Sequence, residues 1–363
     1  MANVFDYIKK YGDKSFSKKG FCDIDNLIFS EMAYFNFEKA VQSYPTTKRA
    51  KLCTAVKKVF SIIPKQKMIM GLIVPKKIKE LVDKTSQTKR FGNLHVSNYT
   101  NVIDEISCCQ FSAITFHTKQ FLYVAFRGTD DTVVGWRENA EMMTKCPVQS
   151  QILATEYLNK VASLFPDLPL YVGGHSKGGN LATYATIHAK KETQNRIVRT
   201  FSNDGQGFLA EFINKRKFES VKEKIVHIIP EKDVVGVIFD EFCGQKRIVK
   251  SSAQGIFQHD GLTWKIKDSD FVTLPATKKS AIIFQTGINS LFQNTTKNTK
   301  IELTNSLYTF VKETNLSTLM ECKKSSLKLI RSFLKLNPNV RKFIINLVKT
   351  YLSATNPLLK QKK

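Results

Sequence analysis

The chain has few of the features that would place it in a membrane, a disulfide scaffold or a metal protein. Nowhere do eighteen uncharged apolar residues follow one another, and Met1 to Tyr11 contains no apolar run of signal-peptide length. The expectation is a cytoplasmic protein with neither signal peptide nor transmembrane helix, though one able to associate with a membrane surface. Seven cysteines, an odd number without a Cys-x-x-Cys pair, fit neither a disulfide framework nor a zinc site. Acidic residues are scarce: 31 against 56 basic ones, a net charge of +25. The shortage is sharpest beyond residue 277, where sixteen Lys or Arg face three Glu. Such a surface attracts anionic lipid, nucleic acid or acidic substrates alike. No nucleic-acid-binding motif accompanies it, so nucleic acid is the weaker partner. There is also no internal repeat or low-complexity segment.

What is present is enough for a full core. The 363 residues are 42% hydrophobic and include 26 Phe, which argues for one large domain plus an appendage. Residues 1–105 read as a mostly helical region packed on the core, with Asp23 to Tyr34 carrying apolar positions at helical intervals and no chemistry evident. Residues 106–277 read as the core. A hairpin runs through Phe111–Phe116 and Phe121–Phe126, a helix follows near 150–164, and further apolar runs at Leu168–Val172, Ile197–Ser202 and Lys224–Ile229 alternate with helices. That alternation predicts an α/β fold with a mainly parallel central sheet and flanking helices. Residues 278–363 read as a basic helical region. Val340, Phe343, Ile344, Leu347, Val348 and Tyr351 form an apolar stripe, separated by Asn337-Pro338-Asn339 from Leu327, Ile330, Phe333 and Leu334. Lys324, Lys328, Arg331 and Lys335 share the opposite face. The first reading is a helical cap packed on the core, and the second is a helix lying on an anionic membrane.

Chemistry concentrates in Tyr171-Val172-Gly173-Gly174-His175-Ser176-Lys177-Gly178-Gly179-Asn180. A strand, a glycine-framed serine and a helix in that order make a nucleophile elbow, in which side chains at Gly174 and Gly178 would collide with neighbouring backbone. The five-letter pattern alone also describes an ordinary turn, so the partners matter. A serine needs a base, and the base an acid to orient it. In the chain order serine, acid, histidine, His95 and His117 come too early, His175 points away, His188 lies on a helix and His227 inside a strand. His259 remains, in the polar turn Gln258 to Trp264. Asp233, in the loop after the strand ending at Ile229, is the first choice of acid. Asp204, in the turn Asn203-Asp204-Gly205, is the second, ahead of Glu231 and Asp240. The backbone N–H of Lys177 at the helix head and Thr129 after the strand Phe121–Phe126 are the candidate oxyanion donors. Arg127 is read as holding that loop through a carboxylate. No metal or organic cofactor is required.

These segments resemble a known family. Val124-Ala125-Phe126-Arg127-Gly128-Thr129 with Trp136 downstream, Gly174-His175-Ser176-x-Gly178-Gly179, Ile225-Val226-His227 followed by Asp233, and His259 followed by Trp264 are similar to the landmarks of class 3 lipases, in order. Asp23-x-Asp25-x-Leu27-Ile28-Phe29-Ser30-Glu31, Ser176 to Ala182 and Asp204-Gly205-x-Gly207-Phe208 are closer to the Mbeg-like α/β-hydrolases, a bacterial branch. The resemblance spans roughly residues 20–270. It implies an α/β-hydrolase fold and a serine hydrolase of lipase, esterase or phospholipase type acting on an ester or lipid-like substrate, with Ser176, Asp233 and His259 as triad and Thr129 and Lys177 at the oxyanion. A thioesterase or acyltransferase on the same triad, or an idle fold that binds an anionic membrane through its basic tail, are the alternatives. Class 3 lipases carry leucine where Lys177 stands, and the segment Asp131 to Thr144, where they have a lid, holds Arg137, Glu138 and Glu141. Together these lead to the expectation of a smaller or more polar ester than neutral fat.

Overall fold

The computed structural model describes residues 2–70, 77–130, 132–314 and 333–355. Asp131 and, in the tail, Lys324, Leu327, Lys328, Ile330 and Arg331 lie outside the described residues.

The sheet is built around β4 (Leu122–Phe126), whose five residues are all buried. Two covered faces favour such unbroken apolar runs over alternation. In chain order its companions are β1 (Ala50–Lys51), β2 (His95–Asp104), β3 (Cys109–His117), β5 (Leu170–His175), β6 (Ile197–Asn203), β7 (Ile225–Pro230) and β8 (Gln245–Val249). A small hairpin follows, β9 (Ile266–Lys267) with β10 (Asp270–Phe271), and β11 (Thr273–Leu274) returns to the main sheet. The nine strands lie in the order β1-β2-β3-β4-β5-β6-β7-β8-β11. Strands β1 to β4 are antiparallel, β4 to β8 parallel, and β11 closes the far edge antiparallel to β8.

Helices Gln149–Leu164 and Lys177–His188 cover one face, packing Leu158, Val161 and Ala182 on Val124, Phe126 and Val172. The N-terminal helices cover the other, placing Ile28, Phe29 and Leu81 against Phe116, Tyr123 and Val226. This mixed sheet, parallel through its core from β4 to β8 and covered on both faces, with its strand–serine–helix connection, is the α/β-hydrolase fold. The N-terminal region, read as mostly helical, also contributes β1 and β2 to the same sheet. In β2 a register shift between Ser97 and Thr100 and a left-handed Asn98 (φ 56°) interrupt the alternation by which a strand is recognised.

Helix Asp23–Met32 is buried along its whole length. Its charge is neutralised inside: Asp25 pairs with Arg90 at 2.5 Å, both side chains fully buried, and accepts from Tyr7 Oη at 2.9 Å. The C-terminal helices Lys279–Gln293 and Pro338–Thr355 pack on Ile229, Ile238 and Phe239 through Phe284, Ile288, Val340 and Phe343. Of the stripe, Val340 and Phe343 are buried there, and Val348 is exposed. No helix among the described residues is long and apolar enough to cross a membrane.

Candidate active site

The serine sits where β5 meets the helix Lys177–His188, with φ 58° and ψ −130°. An L-residue tolerates this conformation only where its surroundings impose it. The imposing contacts are visible: Ser176 N donates to Asn203 O at 2.9 Å, and Gly179 N donates to Ser176 O at 2.9 Å. A Cβ on Gly174 would overlap the Gly178 carbonyl, and one on Gly178 would overlap Phe126 O. The glycine spacing thus has the steric cause read from the sequence.

His259 lies on the loop after β8, and its Nδ1 is 2.7 Å from Oδ2 of Asp204. Asp204, at the end of β6 with φ 52°, is fully buried, and its Oδ1 accepts from Gly236 N at 3.0 Å. The acid in contact with the histidine is therefore the second choice of the sequence reading. Asp233, the first choice, is buried one strand further along, near Asp204, with Oδ1 accepting from Val235 N at 2.7 Å. Burial pushes the Asp204 carboxyl up to about 7, opposed by the hydrogen bonds from Asp233 and Gly236. Burial, then the Asp204 charge, holds Asp233 well above the usual carboxylate range. Desolvation pushes the His259 imidazole down to about 4, against the pull of Asp233 and Asp260. At neutral pH a neutral imidazole therefore donates Nδ1–H to Asp204 and leaves Nε2 as a base.

The loop carrying His259 is anchored by His175, buried inside the elbow. His175 Nε2 lies 2.7 Å from His259 O, a carbonyl that can only accept, so Nε2 carries the proton. Nδ1 then accepts from Tyr34 Oη at 3.1 Å. Burial holds His175 well below its ordinary value and keeps it neutral. Trp264 Nε1 donates to Gln258 O at 2.9 Å and fixes the same loop from the other side. Beneath the elbow, Asn26 Nδ2 donates to Asn203 Oδ1 at 2.9 Å, Asn203 Nδ2 donates to Ser30 Oγ at 3.0 Å, and Ser30 Oγ meets Tyr123 Oη at 2.9 Å. Sequence reading assigned no chemistry to the N-terminal region. The signal available was a cluster of polar residues on an otherwise apolar helix.

Thr129 follows β4, and its Oγ1 accepts from Asn139 Nδ2 at 2.5 Å. Arg127 holds this loop, donating to Asp130 at 3.2 Å and to Asn101 at 3.0 Å. Lys177 heads the elbow helix, but its side chain does not reach the cavity. Nζ donates to Glu138 Oε2 at 2.7 Å and to Gln110 O at 2.6 Å, with both side chains buried. The hint that its cation selects a polar substrate is thereby corrected, because the charge is neutralised in the interior. The helix Val133–Met142, in the lid segment, is corrected likewise. Glu138 faces Lys177, Glu141 pairs with Arg137 at 3.2 Å and Lys145 at 2.5 Å, and the helix offers the cavity Trp136, Asn139 and Ala140.

Ser176, His259, Thr129 and Tyr34 open into one cavity of about 660 Å³, within the usual range for a ligand pocket. Its walls are mostly apolar. Phe284, Ile288 and Phe292 come from one C-terminal helix, Leu303 from the next, and Phe343, Leu347 and Tyr351 from the last. Among the described residues no group of three or more His, Cys, Asp or Glu is arranged to hold a metal ion.

The protein has an α/β-hydrolase fold in which an elbow serine and the histidine of a buried histidine–aspartate pair line one cavity. Residues 85–309 match the Mbeg1-like family, and the chain belongs to that family. Among solved structures, a mutant of MDLA from Penicillium cyclopium is similar at 13% identity over 68% of this chain and 83% of its own, with a TM-score of 0.35. Lip2 lipase of Yarrowia lipolytica is similar at 13% identity over 62% of this chain and 78% of its own, with a TM-score of 0.32. Rhizomucor miehei lipase, in complex with its propeptide, is similar at 14% identity over 47% of this chain, with a TM-score of 0.33, and the chain spans 59% of that protein's length. These likenesses are remote, and the fold assignment rests on the strand order above. No curated protein matches the sequence.

Proposed function

We propose that the protein is a serine hydrolase that cleaves carboxylic esters bearing an apolar acyl chain, through an acyl-enzyme on Ser176. The observation that carries this reading is the convergence of a strained elbow serine and an acid-held histidine on one apolar cavity. Nε2 of His259 takes the Ser176 proton as Oγ attacks the carbonyl, and Asp204 stabilises the imidazolium that forms. The backbone N–H of Lys177 and the N–H and hydroxyl of Thr129 bind the oxyanion, each donor contributing about 3 kcal/mol. The leaving alcohol takes the proton back from His259, and water attacks the acyl-enzyme by the same route in reverse. The acyl chain lies between Trp136 and the C-terminal helices, where apolar area gives roughly 25 cal/mol per Å² buried.

A fluorophosphonate probe tests the nucleophile, and a panel of p-nitrophenyl esters tests the substrate. Labelling is expected on wild type and absent in Ser176→Ala, with decanoate cleaved at higher kcat/KM than acetate. Labelling that persists in Ser176→Ala would sink the assignment of the nucleophile, and a preference for acetate would sink that of the acyl chain.

A further inference from the structure

The site contains one carboxyl more than a triad requires. Asp204 and Asp233 leave the ends of neighbouring strands, β6 and β7, and are both at most 2% exposed. Each approaches Gly236 closely: a Cβ there would lie 2.7 Å from Asp204 Oδ1 and 2.8 Å from Asp233 Oδ2. Their carboxyls are close enough that each shifts the titration of the other. Two ionised carboxylates offer each other only acceptors, so a hydrogen bond between them requires that one carry a proton.

The remaining partners decide which one. Asp204 receives Gly236 N–H at 3.0 Å and faces His259 Nδ1 at 2.7 Å, two donors that favour its anion. Asp233 receives one, Val235 N–H at 2.7 Å on Oδ1, and its Oδ2 meets no N–H or O–H donor among the described residues. We propose that Asp233 is a proton-bearing second carboxyl that positions Asp204, donating its proton to the Asp204 carboxylate and so fixing the oxygen that receives Nδ1–H of His259. The proposal rests on the reading of Ser176 and His259 as nucleophile and base. Burial favours the neutral acid at Asp233, and the adjacent Asp204 charge adds to this. The other titratable groups facing this trio are Asp260, beside His259, and His175, whose ring centroid is 4.5 Å from that of His259. His227 meets Gly236 O at 2.9 Å from within β7.

Isosteric amides separate the two carboxyls. Asp204→Asn presents the wrong hydrogen-bonding partner to His259 and is expected to lower kcat by about 10⁴. Asp233→Asn keeps an N–H that can donate to Asp204 and should cost less than about tenfold. Asp233→Ala removes the donor, so the acid limb of kcat/KM moves to higher pH, and asparagine returns it. A loss in Asp233→Asn as large as that in Asp204→Asn would reverse the roles and overturn the proposal. The low-field proton resonance of His259 Nδ1 reads the same pairing without any substrate: it persists in Asp233→Asn and is lost in Asp204→Asn. Its loss in Asp233→Asn would also overturn the proposal. Failure of the hydrolase reading appears separately, as absence of fluorophosphonate labelling at Ser176.

Discussion

The floor of the cavity and its roof are built by opposite means. The floor is a polar network: Asn26, Ser30, Asn203, His175 and Asp204 hold the elbow and the histidine loop through buried hydrogen bonds. The roof is apolar, with Phe284, Ile288 and Phe343 packed by shape alone and Val348 about half exposed at 50%. Directional bonds hold reacting atoms within fractions of an ångström, as proton transfer demands. Apolar contacts adapt to a flexible chain, as acyl binding demands. A change in the floor should therefore alter rate or stability, and a change in the roof should alter selectivity.

The sharpest way to break this comparison is at the nucleophile. Ser176→Ala should lower kcat by roughly 10⁶ while a non-hydrolysable ester analogue still binds. A loss of binding equal to the loss of turnover would place the serine in packing instead. Next in size is the ion pair beneath the elbow. Lys177→Met leaves Glu138 buried without its cation and should lower unfolding free energy by about 3–5 kcal/mol, measured by urea denaturation. The double variant Lys177→Met/Glu138→Gln should regain much of that. A Lys177→Met protein of normal stability but altered head-group preference would return the lysine to substrate recognition.

The pH profile comes third. Asp204 must be ionised to hold the imidazolium, and burial raises it to about 7, so kcat/KM should rise with pH and level off above that value. Below it, activity should fall about tenfold per pH unit. A plateau extending down to pH 5 would contradict the buried acid. The smallest effect belongs to the roof. Leu347→Trp fills part of the cavity and should lower the decanoate-to-acetate ratio of kcat/KM by about tenfold, mainly through the longer ester. An equal loss on both esters would mean that the C-terminal helices act on the chemistry itself.

Much of the fold was legible because the strands of a covered sheet carry unbroken or nearly unbroken apolar runs, as at Leu122–Phe126 and at Ile225–Ile229 around His227. Strand β2 was not, since Ser97, Asn98 and Asn101 and the register shift within it conceal the alternation. At the candidate site, Ser176 and His259, which line the same cavity, were singled out through glycine spacing and chain order. Asp204 was ranked below Asp233 because Asn203-Asp204-Gly205 reads as an ordinary turn, and nothing local distinguishes a loop that turns toward His259 from one that turns behind it.

The sequence by itself determined the elbow, since the need for glycine at 174 and 178 is a steric property of a few adjacent residues. It also determined the alternation of strands and helices that places the elbow at the end of a parallel strand. Tertiary structure alone decided which aspartate meets His259, that Lys177 is neutralised by Glu138, and that the basic tail presents an apolar face to the cavity. These are contacts through space, 39 positions apart for Lys177 and Glu138 and 55 for Asp204 and His259, set by how β6 and β7 lie side by side and by which face of each helix is buried.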